Sequence, residues 1–160
     1  MITPDYALTM ARYTAWQNTS LTRAADTLTD AARWQDRGSF FGSIAATLNH
    51  ILGDDKTWLA RLAQDAEATA RLNAQFPHTQ APRDWAAYKS DRQTLDTALL
   101  DHAKSLTPEM LAHPIRWQRG PQEVETTVAN LIVFRNHRKD VEEKLHKQHQ
   151  VIIETVTIPT

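Results

Sequence analysis

Ile44, Leu48, Ile51, Trp58 and Leu62 recur at the spacing of one face of an α-helix, and this stripe constrains the fold more than any other stretch of the chain. One helix cannot bury such a stripe alone, so the sequence predicts further helices packed on it. Thr47, His50 and Asp54 form a polar seam along the margin of that stripe. A lone histidine in this position reads first as a hydrogen-bonded structural residue, and only a second, distant histidine gives it a role as a metal ligand.

The helices that would cover the stripe are legible on both sides of it. Thr3-Pro4 is an N-cap and first-turn proline, and Tyr6, Met10, Tyr13, Trp16 and Ala24 then recur at helical spacing, which predicts a first helix over 4–26. Its aromatic stripe reads as core; alternatively, Tyr13 and Trp16 line a pocket together with Trp58. Gly38-Ser39 breaks the chain, and a second helix carrying His50 is expected over 40–64. Residues 65–82 end in Phe76-Pro77-His78-Thr79-Gln80-Ala81-Pro82, whose prolines forbid a continuous helix. Extended, this connector spans about 55 Å, while a helix of about 22 residues is only about 33 Å long. The second and third helices are therefore free to run parallel.

The third helix is expected over 83–104, with Trp85, Tyr88, Arg92, Leu95 and Leu99 on one face. Arg92 is the odd member of that face and reads as snorkelling or paired with a carboxylate rather than as binding an anionic substrate. Thr107-Pro108-Glu109 starts a short helix. Ile115 to Gln118 then alternates as a strand, and Arg119-Gly120-Pro121-Gln122 turns it into a small hairpin whose Trp117 covers one end of the bundle. A fourth helix is expected over 123–149, burying Val124, Val128, Leu131, Ile132, Val141 and Leu145. The tail, 151–160, switches to β-branched residues and does not continue it. The fold expected is all-α, a four-helix bundle forming one domain over 1–160, with Trp16, Leu48, Ile51, Trp58, Leu95, Leu99, Val128 and Leu131 buried.

Composition narrows the function. A chain of 160 residues buries enough surface to stand without metal or disulfide staples. Its formal charge of -1 and pI near 6.6 supply no basic field, so no nucleic-acid or membrane partner is expected. Without cysteine it can form neither a disulfide nor a thiolate zinc site, and any thiol chemistry must use a thiol on the substrate. With no leader-like segment and no apolar run of about 20 residues, the location expected is cytoplasmic.

Tyr13-Thr14-Ala15-Trp16-Gln17-Asn18, the segment Thr47 to Leu62 with His50 followed by Asp54 and Trp58, and the hairpin before the last helix together resemble the DinB/YfiT-like family of bacterial four-helix bundles, over about residues 4–135. The resemblance implies an up-down-down-up bundle, a homodimer, and a divalent metal held by one histidine of helix two and two of helix four. Characterised relatives include thiol transferases that use a low-molecular-weight thiol. His50 carries over as the helix-two ligand. The helix-four motif, His-x-x-x-His continuing into Arg-Gly-Gln, departs: aligned without a gap, His137 is the last ligand and Val133 stands in place of the other, and aligned with a turn deleted, Val141 does. His146 and His149 lie about 13.5 and about 18 Å beyond His137 along a straight helix, too far to share an ion with it. Asp54, four residues past His50, and Asp140, three past His137, are each placed to supply a third ligand.

Two functions follow from these residues. The first is a metal-dependent transferase or hydrolase in which nickel or zinc, held by His50 and His137 with Asp54 or Asp140, lowers the pKa of a bound thiol or water. Two imidazoles make a weak site, so weak or absent occupancy is expected. The second is a non-catalytic bundle that dimerises or binds a small apolar ligand among Tyr13, Trp16 and Trp58.

Overall fold

The computed structural model describes residues 2–63, 84–119 and 121–136. It is mostly helical with one two-stranded sheet: α1 (Pro4–Asp26), α2 (Asp30–Trp34), α3 (Ile44–Ala63), α4 (Trp85–Ser105), α5 (Pro108–Ala112), β1 (Pro114–Arg119), β2 (Gln122–Thr127) and α6 (Val128–Asn136). The connector over 65–82, the tail over 151–160, and the end of the fourth helix with His137, Asp140 and Val141 lie outside the described residues.

Side-chain caps define where several helices begin. Thr3 accepts a hydrogen bond from the backbone N–H of Tyr6, Thr29 from that of Ala32, Asp84 from that of Ala87 and Thr107 from that of Met110. Proline follows the cap in α1 and α5, where its missing N–H costs nothing. The C-terminal end of α1 is closed by Arg33 of α2, buried beneath the Trp85 ring at 4.5 Å, which donates to the carbonyls of Ala25 and Leu28.

Two apolar clusters form the core. One joins Ala25 of α1, Ile44, Leu48, Leu52 and Leu59 of α3, and Tyr88, Leu95 and Leu99 of α4. The other joins Ala7, Trp58 and Leu62 to Leu106, Leu111, Ile115, Val128, Leu131 and Ile132, with Trp117 packed on it. The hairpin therefore covers one end of the helices, as the sequence suggests. Its strands pair antiparallel with Trp117 opposite Val124, and Arg61 reaches over the rings of both Trp58 and Trp117.

Three expectations are corrected. Helix four begins at Val128 rather than near Glu123, because Val124, Thr126 and Thr127 are β-branched and pair with β1; Val124 is a half-buried strand residue. Helix two begins at Ile44 rather than 40, since Ser39 to Gly42 forms a turn closed by a Gly42 N–H to Ser39 carbonyl bond of 2.9 Å. Trp16 is 63% exposed and Ile51 only half-buried: α1 turns Ala7, Ala11, Asn18 and Ala25 inward, and α3 buries Leu52. Leu48, Trp58, Leu95, Leu99, Val128 and Leu131 are buried as expected.

Candidate functional site

Two polar constellations stand on α3. The inner one is built from Asp55, which bonds Arg92 of α4 at 2.9 Å; Arg92 also bonds Asp96, one helical turn on, at 2.7 Å, and Asn18 of α1 donates to Asp96 at 2.8 Å. All four residues are buried, so of the two expectations for Arg92, snorkelling or pairing, pairing holds, with two carboxylate partners. Burial alone would lower the Arg92 pKa, and the charges of Asp55 and Asp96 more than reverse this, keeping the guanidinium charged. Burial pushes the Asp96 carboxyl up against the pull of Arg92 and Asn18; with two short bonds from donors it remains the counter-ion of Arg92. Burial likewise raises Tyr88, which stays neutral beside the cluster. The single Arg92 charge is shared by two carboxylates, one from α3 and one from α4, and Asn18 ties in α1, which makes this a three-helix clasp.

The outer constellation is centred on His50. The imidazole is 41% exposed, and its Nε2 lies 3.4 Å from Oδ2 of Asp54, one turn on along the same face. Its ring is stacked on Phe41, with centroids 3.9 Å apart and planes 29° apart, and Phe40 meets Phe41 edge-on at 4.8 Å. Thr47, the third member of the predicted seam, turns inward instead and donates to the Ser43 carbonyl.

The Nε2 to Oδ2 separation bears on metal binding. It exceeds the usual 2.7–3.2 Å of an N–H···O bond. Two ligands bound at about 2.0–2.2 Å to a common tetrahedral ion would stand about 3.3 Å apart, so this pair fits one edge of a coordination shell. Among the described residues no group of three or more histidines or carboxylates converges to hold an ion. His50 and Asp54 are therefore two donors of a set that needs completion, and His137 and Asp140 are outside the described residues.

The aromatic residues expected to line a pocket take two different environments. Tyr13 and Trp16 stack on each other at 5.8 Å and are exposed, whereas Trp58 is core. A small cavity of about 20 Å³ is instead lined by Ala7, Met10, Leu62, Leu99, His102 and Ile132. Sequence reasoning missed Phe40 and Phe41, although Gly38 and Gly42 flanking two phenylalanines was a readable turn signal.

No helix among the described residues is long and apolar enough to cross a membrane. No curated protein and no solved structure matches the chain. The family model described as the DinB family matches residues 1–138, which spans both polar constellations, the hairpin and α6. The chain belongs to the DinB family.

Proposed function

We propose that the chain is a divalent-metal-dependent transferase or hydrolase acting on a small molecule, with His50 and Asp54 as two ligands and His137 or Asp140 completing the set. The observation that carries this reading is the 3.4 Å approach of Nε2 to Oδ2 on an exposed helix margin. When bound there, nickel or zinc would lower the pKa of a coordinated water or low-molecular-weight thiol and so supply the nucleophile that a chain without cysteine lacks. The protein's own part is to offer a neutral nitrogen and one negative charge from one rigid helix. The Asp55–Arg92 bond holds that helix against α4 on another face.

The same reading takes the helices as an up-down-down-up bundle. Its support lies in the pairings: Asp26 bonds Trp85 and Lys89, Asn18 bonds Asp96, and Ala25 clusters with Ile44 while Ala7 clusters with Leu62. α1 thus opposes both α3 and α4, as parallel second and third helices require. Calorimetric titration with nickel and with zinc tests the site. The parent is expected to bind weakly, and His50→Ala and Asp54→Ala each to lose tenfold or more; an unchanged His50→Ala sinks the reading.

A second reading, a dimeric or ligand-binding bundle without catalysis, is favoured by one observation, the exposed Tyr13–Trp16 stack on α1. Sedimentation of the parent and of Trp16→Lys separates it: a dimer dissociated by the substitution, with no metal affinity, supports this alternative.

A further inference from the structure

We infer that Phe41 is a positioning residue for His50: the Ser39–Gly42 turn clamps the imidazole plane so that Nε2 stands ready beside Asp54. The inference rests on His50 being a ligand.

The turn is built to hold a ring in a fixed place. Gly38 and Gly42 have φ of +66° and +81°, a region that side chains with a Cβ rarely adopt. The Gly42 N–H donates to the Ser39 carbonyl, the Arg37 N–H donates to the Gly42 carbonyl at 2.8 Å, and the Gly38 N–H donates to Oδ1 of Asp36 at 2.9 Å. Ser43 then accepts from the N–H of Ala46 and joins the turn to the first turn of α3 without a flexible link. The two phenylalanines occupy the middle of this turn. Phe40 is 66% exposed yet braces Phe41 edge-to-face, and Phe41 lies across His50.

Stacking is compatible with a ligand's role, because it leaves both ring nitrogens free. The lone pair with which an imidazole binds an ion lies in the ring plane, while the Phe41 ring contacts its face. The clamp therefore fixes the plane and leaves the coordinating edge open. An unrestrained imidazole on a helix surface exchanges among rotamers and must be immobilised on binding. Fixing it beforehand removes that cost, which corresponds to a gain of about three- to tenfold in affinity for one side chain.

The test uses nickel and zinc as probes on the full chain, with Phe41→Leu, Phe41→Tyr and His50→Ala. Phe41→Leu keeps an apolar side chain in the turn but removes the ring; it is expected to weaken binding three- to tenfold, with thermal stability nearly unchanged, while Phe41→Tyr binds within twofold of the parent. A second readout needs no metal. In the proton spectrum of the parent, the His50 ring protons should lie upfield through the Phe41 ring current, and return towards free-imidazole positions in Phe41→Leu but not in Phe41→Tyr. If His50→Ala abolishes binding while Phe41→Leu binds as the parent does, the clamp is overturned and the ligand assignment stands. Should the parent bind neither ion, or His50→Ala leave binding intact, both fall.

Discussion

Arg92 shows how a residue that hydropathy would place outside comes to hold the inside. Its guanidinium is almost wholly buried, and its two carboxylates come from α3 and from its own helix. Removing the cation leaves Asp55 and Asp96 close together with reduced access to water, so Arg92→Ala should destabilise the fold by about 3–5 kcal/mol in urea unfolding. A loss below about 1 kcal/mol would mean that the clasp is solvated in solution. Asp26 responds to pH in a way that follows from its donors: bonds from Trp85 and Lys89 hold its carboxyl below the ordinary value of 3.8. A carboxyl depressed in the folded state gives stability that is present above its unfolded pKa and is lost as pH falls through the folded one. Asp26→Asn should therefore flatten the fall in melting temperature below about pH 4, and leave its shape unchanged between pH 6 and 8. That Arg92 must either snorkel or pair with a carboxylate was legible in the sequence because a lone cation interrupts an apolar face. Its partners were not, since Asp55 sits beside the apolar stripe of α3 and nothing in a one-dimensional pattern says which of several acids a neighbouring helix will meet.

At the scale of elements, α1 explains the main error of phase. Its large aromatic residues Tyr13 and Trp16 face solvent, and its inward seam is Ala7, Ala11, Asn18 and Ala25, spaced at four and seven residues. Small residues let helices approach closely, and a stripe weighted by side-chain size overlooks them. Ala25 is 1% exposed, so Ala25→Leu should cost about 1–3 kcal/mol by overpacking, whereas Trp16→Ala should change stability by less than about 0.5 kcal/mol. The opposite ranking in thermal melts would restore the aromatic core. The turn before α3 carries its own prediction. At Gly42 an added Cβ would have space, with its nearest contact at 4.0 Å, but φ is +81°, so Gly42→Ala should cost about 1–2 kcal/mol through the backbone alone. Caps and the hairpin were legible because threonine–proline and glycine–proline steps act locally. The start of α6 was not, because β-branched Val124, Thr126 and Thr127 fit a strand or a helix face until β1 is there to pair with.

Across the whole molecule, a metal site of the proposed kind requires α6 and the chain beyond it to meet α3 at the level of His50. The buried residues of α6, Val128, Ala129, Leu131 and Ile132, all belong to the cluster that contains Trp58 and Leu62, while Leu48 and Leu52, which flank His50, belong to the other. Trp58 lies eight residues beyond His50, about 12 Å along α3, and Val133 is only two residues, about 3 Å, from Leu131. Val133 is half-buried and follows directly on that cluster along α6. The sequence leaves two positions, Val133 and Val141, at which a second imidazole of helix four is replaced. In calorimetric titrations with nickel and zinc, Val133→His should gain about tenfold over the parent if the ungapped alignment holds, and Val141→His should do so if the gapped one holds, as a third strong donor would. If neither variant gains affinity over the parent and His50→Ala leaves binding unchanged, the metal reading of this chain falls.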